Sequence, residues 1–231
     1  MAIQCVSGDI HLTSGNSPGF TDATDPFSIT VWVNSPNWST GTTQSFVGLY
    51  GPFPTPSTAI QIGTRGAGLV GCWTWGGGLL ISSSSAVQNS QWHHIAYTFD
   101  GASHRLYVNG ILSNTTNNAQ NPGQLTTIFI NGYPTGVAAE TAAYQVDSYA
   151  YFNRTLSGDE VLTMFNSCGA RHGIISGVLA KYEFDEASQD SVCSGVVDLS
   201  GLNNQLSIAG TGSLTYSYTG TVASSNLRRM H

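Results

Sequence analysis

The sequence predicts an all-β protein: a two-sheet antiparallel β-sandwich with one short helix and an extended C-terminal arm. Three observations carry this. Apolar residues alternate with period two along several segments. The strands so implied are short and separated by Gly, Pro and Asn. Only one segment has helical spacing together with helix start and stop signals.

The clearest alternation is in Phe27, Ile29, Val31 and Val33, which fall on one face, with Ser28, Thr30, Trp32 and Asn34 on the other. Gln91 to Phe99 repeats it, setting His93, Ile95, Tyr97 and Phe99 against Trp92, His94, Ala96 and Thr98, and Asp100-Gly101 then turns the chain. Arg105 to Val108 and Ile111 to Leu112 flank Asn109-Gly110, two residues that tolerate the positive φ of a type I′ hairpin turn. Further strands are expected at 44–50, 59–64, 68–75, 79–84, 126–131, 145–151, 177–184 and 204–208. The helix begins at Ser157, whose hydroxyl can cap it, with Glu160 three residues on to complete a capping box. Val161, Leu162, Met164 and Phe165 give it an apolar side and Gly169 ends it. It is expected to pack on the sandwich edge. From Gly195 the chain turns to Gly, Ser, Thr and Tyr, and Asn226 to His231 is expected to be an extended arm.

The 231 residues make one large or at most two small domains. Charged residues make up 9% of the chain, against about 25% in ordinary soluble proteins, with a single lysine, Lys181. A net charge of −6 argues against a protein that binds nucleic acid through phosphate contacts. No apolar run is long enough for a membrane-spanning helix, so no membrane insertion is expected. The first basic residue is Arg65, which leaves no secretory signal in view, and synthesis in a cytoplasm is expected. There Cys5, Cys72, Cys168 and Cys193, scattered without a CxxC pair, read as buried free thiols, and the sequons at Asn37, Asn114 and Asn153 carry no meaning.

The run Gln91-Trp92-His93-His94-Ile95-Ala96, then Phe99-Asp100-Gly101 and Leu106-Tyr107-Val108-Asn109-Gly110, resembles the central hairpin of laminin G-like, concanavalin A-like jelly rolls. Pro26 to Val33 is similar to an early strand of that family. Val146-Asp147 and Tyr151 to Ser157, with Glu160, are similar to its closing strand and helix. On this resemblance residues 1–168 form a laminin G-like sandwich, and 169–231 an extension that completes it or packs on a neighbour. Tyr182-Glu183-Phe184-Asp185-Glu186, then Asp198-Leu199-Ser200-Gly201 and Asn204, resembles the segment that usually opens such a domain, here placed after the helix. A tail of this kind is similar to laminin G-like proteins encoded by tailed bacteriophages.

Glucanases on this fold need two carboxylates flanking the glycosidic bond. The four glutamates, Glu140, Glu160, Glu183 and Glu186, do not form the alternating acidic strand such enzymes show, and Glu183-Phe184-Asp185 comes nearest. No enzyme activity and no catalytic residue are expected. His93 and His94 are strand neighbours that point to opposite faces, and with His104 they read as structural or solvated. No cofactor is expected; calcium, which the resemblance brings in, stays open, with Asp147 the matching aspartate. Trp73 and Trp75 lie two apart on one face beside Gly76-Gly77-Gly78, and can stack on a sugar ring or belong to the core. Trp38, Tyr50 and Phe53, in or near Pro-rich loops, are weaker candidates for the same role. Arg228 and Arg229 form a candidate partner-binding arm.

The expectation from sequence is a non-catalytic virion surface protein that decorates a phage capsid or tail. Its partners would be capsid or tail proteins of the same virion and further copies of itself, with no nucleic acid. The alternative is a lectin-like module that recognises a host surface glycan through Trp73 and Trp75.

Overall fold

A computed structural model describes residues 2–5, 10–14, 25–39, 44–51, 59–64, 66–74, 78–117, 124–131, 143–167, 174, 176–184, 195–210 and 215–217. The first strands are β1 (Ala2–Cys5), β2 (Ile10–Thr13), β3 (Phe27–Asn34), β4 (Gln44–Tyr50), β5 (Ala59–Thr64), β6 (Val70–Thr74) and β7 (Leu79–Ser82). There follow β8 (Trp92–Phe99), β9 (His104–Val108), β10 (Ile111–Thr116), β11 (Thr127–Ile130), β12 (Tyr144–Phe152) and helix α1 (Gly158–Asn166). The last are β13 (Val178–Tyr182), β14 (Gly195–Val196), β15 (Leu206–Gly210) and β16 (Thr215–Ser217).

These strands form two antiparallel sheets packed face to face, a β-sandwich of the predicted class. The first sheet runs β10-β9-β8-β3-β12-β1-β16, and the second runs β14-β15-β2-β11-β4-β5-β6-β7. Between them lies one core, to which β3 gives Phe27, Ile29, Val31 and Val33 and the second sheet gives Leu49, Ile60, Ile62, Val70, Ile128 and Ile130. The alternation in the sequence therefore has a direct cause: each of these side chains leaves the aqueous surface for a shared apolar layer. No helix among the described residues is long and apolar enough to cross a membrane.

In β12 one side pairs with β3, and the other is divided between two strands. Its first half pairs with β1, Val146 opposite Ile3, and its second half with β13, Tyr149 opposite Tyr182. The division falls at Ser148, which holds a positive φ of 50° where the pairing with β3 also shifts register. From the C-terminal stretch, β13 and β16 enter the first sheet while β14 and β15 enter the second. The strand expected at 204–208 is present as β15, while β14 and β16 were not expected. Short Gly- and Ser-rich strands can still pair where a partner edge is already ordered. The predicted arm at 226–231 lies outside the described residues.

The capping box forms as expected: Ser157 Oγ accepts the Glu160 amide, and Glu160 Oε2 accepts the Ser157 amide. The position of the helix is a correction. It covers the outer face of the first sheet, where Val161 and Met164 pack with Ala96, Tyr107, Ala150, Phe152 and Leu156. Phe165 stacks on Trp32 with ring centroids 5.6 Å apart. Ala96, Ala150 and Thr30 keep that face low enough for a helix to settle on it, which explains why both faces of β3 are buried.

The predicted Asn109-Gly110 turn has positive φ at both residues, 52° and 78°, as a type I′ turn requires. Asp100 holds the other turn. Its carboxylate accepts the amides of Ala102 and Ser103 and takes Arg105 Nη1 at 2.7 Å.

Candidate functional site

The outward face of the second sheet carries the residues best suited to a ligand. Its register aligns one row across the strands: Phe129 stands opposite Gly48, Gly48 opposite Gln61, Gln61 opposite Trp73 and Trp73 opposite Leu79. In the row alongside, Ser45 lies opposite Gly63 and Gly63 opposite Gly71. These residues alternate with Val47, Ile62 and Cys72, which point into the core.

The glycines decide how the indole sits. A Cβ on Gly71 would meet Trp73 Cζ3 at 3.5 Å; one on Gly63 would collide first with the Gln44 backbone carbonyl and then meet Trp73 Cη2 at 3.0 Å. The Trp73 indole therefore reaches back along the sheet past Gly71 toward Gly63. Next to it Gln61 Nε2 donates to the Tyr50 hydroxyl at 2.7 Å, and Tyr50 meets Phe129 edge to face at 5.0 Å. Trp73 is buried, 2% exposed, and stands outside the main apolar cluster between the sheets. Toward the β7 edge the row opens, with Leu79 48% exposed. The Ser45 hydroxyl, on a residue with 0% exposure, has no hydrogen-bond partner among the described residues.

Of the other sequence candidates, Trp75, Phe53, Arg228 and Arg229 lie outside the described residues. Trp38 is a core residue, packed edge to face on Phe46 at 4.9 Å, and so is corrected as a surface candidate. His93 and His94 do point to opposite sides. His93 packs toward Trp38 while His94 sits beneath the helix beside Trp32 and Phe165. His104 is buried, its Nδ1 2.6 Å from the Tyr97 hydroxyl. Cys72 is a buried free thiol whose pKa burial pushes up; the Cys5, Cys168 and Cys193 side chains lie outside the described residues.

The described carboxylates have structural work. Glu160 is gripped by Arg154, and Glu183 lies 3.7 Å from Lys181. Asp198 accepts the amides of Lys181, Ser200 and Asn204 together with the Ser200 hydroxyl. Asp185, Glu186 and Glu140 lie outside the described residues. Asp147 is buried in β12 opposite Trp32 and accepts the Ser148 hydroxyl. Among the described residues no three His, Cys, Asp or Glu side chains group as metal ligands.

Sequence reasoning named Trp73 as a candidate and did not name Ser45, Gln61 or Phe129. The signal that could have found them is the three glycines at 48, 63 and 71, each within a strand pattern, where a missing side chain marks a close approach.

Residues 7–162 match the family model described as the concanavalin A-like lectin/glucanases superfamily. The chain belongs to that superfamily. No curated protein matches it in sequence. Among solved structures, this superfamily member is similar to a candidate carbohydrate binding protein from Bacteroides ovatus, at 14% identity and a TM-score of 0.66, over 95% of this chain. It spans 60% of that protein's length. It is also similar to the native heptameric SAP-like pentraxin of Limulus polyphemus (14% identity, TM-score 0.59, 94% of this chain and 95% of that one). A third likeness is to the binding domain of Paraclostridial Mosquitocidal Protein 1 (18% identity, TM-score 0.52, 71% of this chain and 45% of that one). At such identities the shared property is the concanavalin A-like fold. In the first two it extends past residue 162 into the C-terminal strands.

Proposed function

We propose that the protein is a non-catalytic carbohydrate-binding domain and that the outward face of the second sheet, centred on Trp73, is its binding surface. The observation that supports this is the outward row of the second sheet, in which Trp73 stands in register between Gln61 and the exposed edge residue Leu79. Sugar rings present a face of C–H groups that stacks on such a surface, while their hydroxyls pair with amides and hydroxyls of the kind Gln61, Tyr50 and Ser45 supply. Two of the fold neighbours are described by what they bind or as binding domains, which supports the same reading. The expected virion surface role rests on the sequence of residues 182–204 and on Arg228 and Arg229, and gains no support from those neighbours.

The test is a glycan array probed with the intact protein, with and without calcium. Saturable binding to a defined set of glycans is the expected result. A blank array under both conditions overturns the reading.

A further inference from the structure

The Asn109-Gly110 turn joins a structural demand to a chemical liability. Both residues hold positive φ, 52° and 78°, which this pair tolerates. Asn-Gly is also the pair in which a backbone amide most readily attacks the preceding carboxamide, because a residue without Cβ leaves the approach open.

The folded hairpin holds the reacting groups apart. Asn109 Oδ1 accepts the His94 amide at 3.0 Å, and Nδ2 donates to His93 Nδ1 at 3.2 Å. The Asn109 amide donates to the His94 carbonyl at 2.8 Å, so backbone and side chain are both clamped to β8. Gly110 is buried, with Leu162 and Phe165 of the helix so near that a Cβ there would meet them at 2.9 and 3.2 Å. The carboxamide carbon cannot swing onto the Gly110 nitrogen without releasing both side-chain hydrogen bonds.

We propose that Asn109-Gly110 is a latent deamidation site, locked in the folded protein by His93 and His94 and released when the hairpin opens. In the open chain the Gly110 nitrogen bonds to Asn109 Cγ while the Cγ–Nδ2 bond breaks. The proton shed by that nitrogen leaves with the NH2 group as ammonia. Water then opens the cyclic imide to an aspartate or an isoaspartate linkage. Either product hinders reclosure. Isoaspartate adds a carbon to the backbone of a two-residue turn, and aspartate sets a carboxylate, which only accepts, against the unprotonated Nδ1 of His93. The groups that face the His93 ring are the Gln88 carbonyl, the Trp38 indole and Asn109 itself. The aspartate form therefore closes as His93 takes a second proton. A transient opening becomes a permanent change of charge.

The experiment incubates the intact protein in mildly alkaline buffer, native and in guanidinium, and follows each site by peptide mass spectrometry and isoaspartate assay. Asn131-Gly132, the other Asn-Gly pair of the sequence, is the reference in the unfolded chain. Expected are similar rates at the two pairs in guanidinium, and at Asn109 in the native protein a rate about a hundredfold lower, about tenfold for each side-chain bond. His93→Ala removes one bond and should raise the native rate about tenfold. That rate is read well below the unfolding midpoint, where a variant that is merely less stable betrays itself by a rate that climbs with denaturant. Asn109→Asp, the product made directly, should show a His93 midpoint above the parent's and approach the parent's stability only at acid pH. Equal native and unfolded rates at Asn109 overturn the proposal. So does a native rate that His93→Ala leaves unchanged, or an Asn109→Asp variant as stable as the parent at neutral pH.

Discussion

Arg154 holds Glu160 with both terminal nitrogens, Nη2 on Oε1 at 2.6 Å and Nη1 on Oε2 at 2.9 Å, and so ties the loop before the helix to its first turn. Glu160 Oε2 also accepts the Ser157 amide, and Arg154 Nε donates to the Ser176 carbonyl. One ion pair thereby fixes the helix start to the connection leading into β13.

The hydrogen bonds from Arg154 are the main cause that holds the Glu160 carboxyl down, from its ordinary value of 4.5 to about 2. The folded pKa is the lower one, so the stabilisation is complete above about pH 4.5 and is lost as pH falls toward 2. Urea melts across that interval should show it. Glu160→Gln should flatten this part of the pH profile and cost roughly 1 kcal/mol at neutral pH, because Gln can keep the Ser157 bond but loses the charged pair with Arg154. An unchanged profile in the variant would place the acid sensitivity elsewhere.

His93 is the second titrating lock. Its Nε2 lies 2.9 Å from the Gln88 carbonyl, which can only accept, so Nε2 carries the proton and Nδ1 accepts from the Asn109 amide at 3.2 Å. Burial lowers the pKa from its ordinary 6.5. Stability contributed by the neutral ring is therefore present above pH 6.5 and falls away below it. Nitrogen-resolved NMR should find the Nε2–H tautomer at neutral pH and a midpoint below 6.5. A midpoint above 6.5 contradicts the assignment. Replacing Asn109 with Ala should lower stability, since its Oδ1 also accepts the His94 amide.

Helix burial on the sheet face predicts an asymmetry between two neighbouring side chains. Met164 is 2% exposed and Leu162 42%. Met164→Ala should cost about 2–4 kcal/mol in urea unfolding, whereas Leu162→Ala should stay within about 0.5 kcal/mol. Equal costs would return the helix to the sandwich edge.

Asp198 organises residues 198–204 through donors alone, two on each carboxylate oxygen. Asp198→Asn points an NH2 group at donors and should cost about 2–3 kcal/mol, with faster amide exchange at Lys181 and Asn204. Asp198→Asn matching the parent in both measurements would remove the loop's role in anchoring β13.

The fold was legible where one face of a strand is buried and its residues alternate, as in β3 and β8, and where backbone geometry demands particular residues, as at Asn109-Gly110 and the Ser157–Glu160 box. β1 and β2 were not, because four residues are too few to show a period and their order comes from partners far along the chain. The helix's place could not be read either. Its apolar side announces that it must be covered, but only the small residues Ala96, Ala150 and Thr30, brought together by three strands, say by what. The candidate site divides the same way: Trp73 is visible as an aromatic beside glycines, while the row from Phe129 through Gly48 and Gln61 to Trp73 exists only in the register of the second sheet.

The divided side of β12 also governs when folding can finish. Ile3 pairs with Val146 on one side and Tyr216 on the other, so the first strand of the described chain has no complete bed until residue 216 has left the ribosome. Both sheets meanwhile await strands made after the helix. Pairings over such sequence distances are slow to close and expose open sheet edges while they wait. The nascent chain thus passes through a long interval in which its apolar layer is assembled but unsealed. That interval is when chaperones would bind it, and when high-level expression would lead it to aggregate.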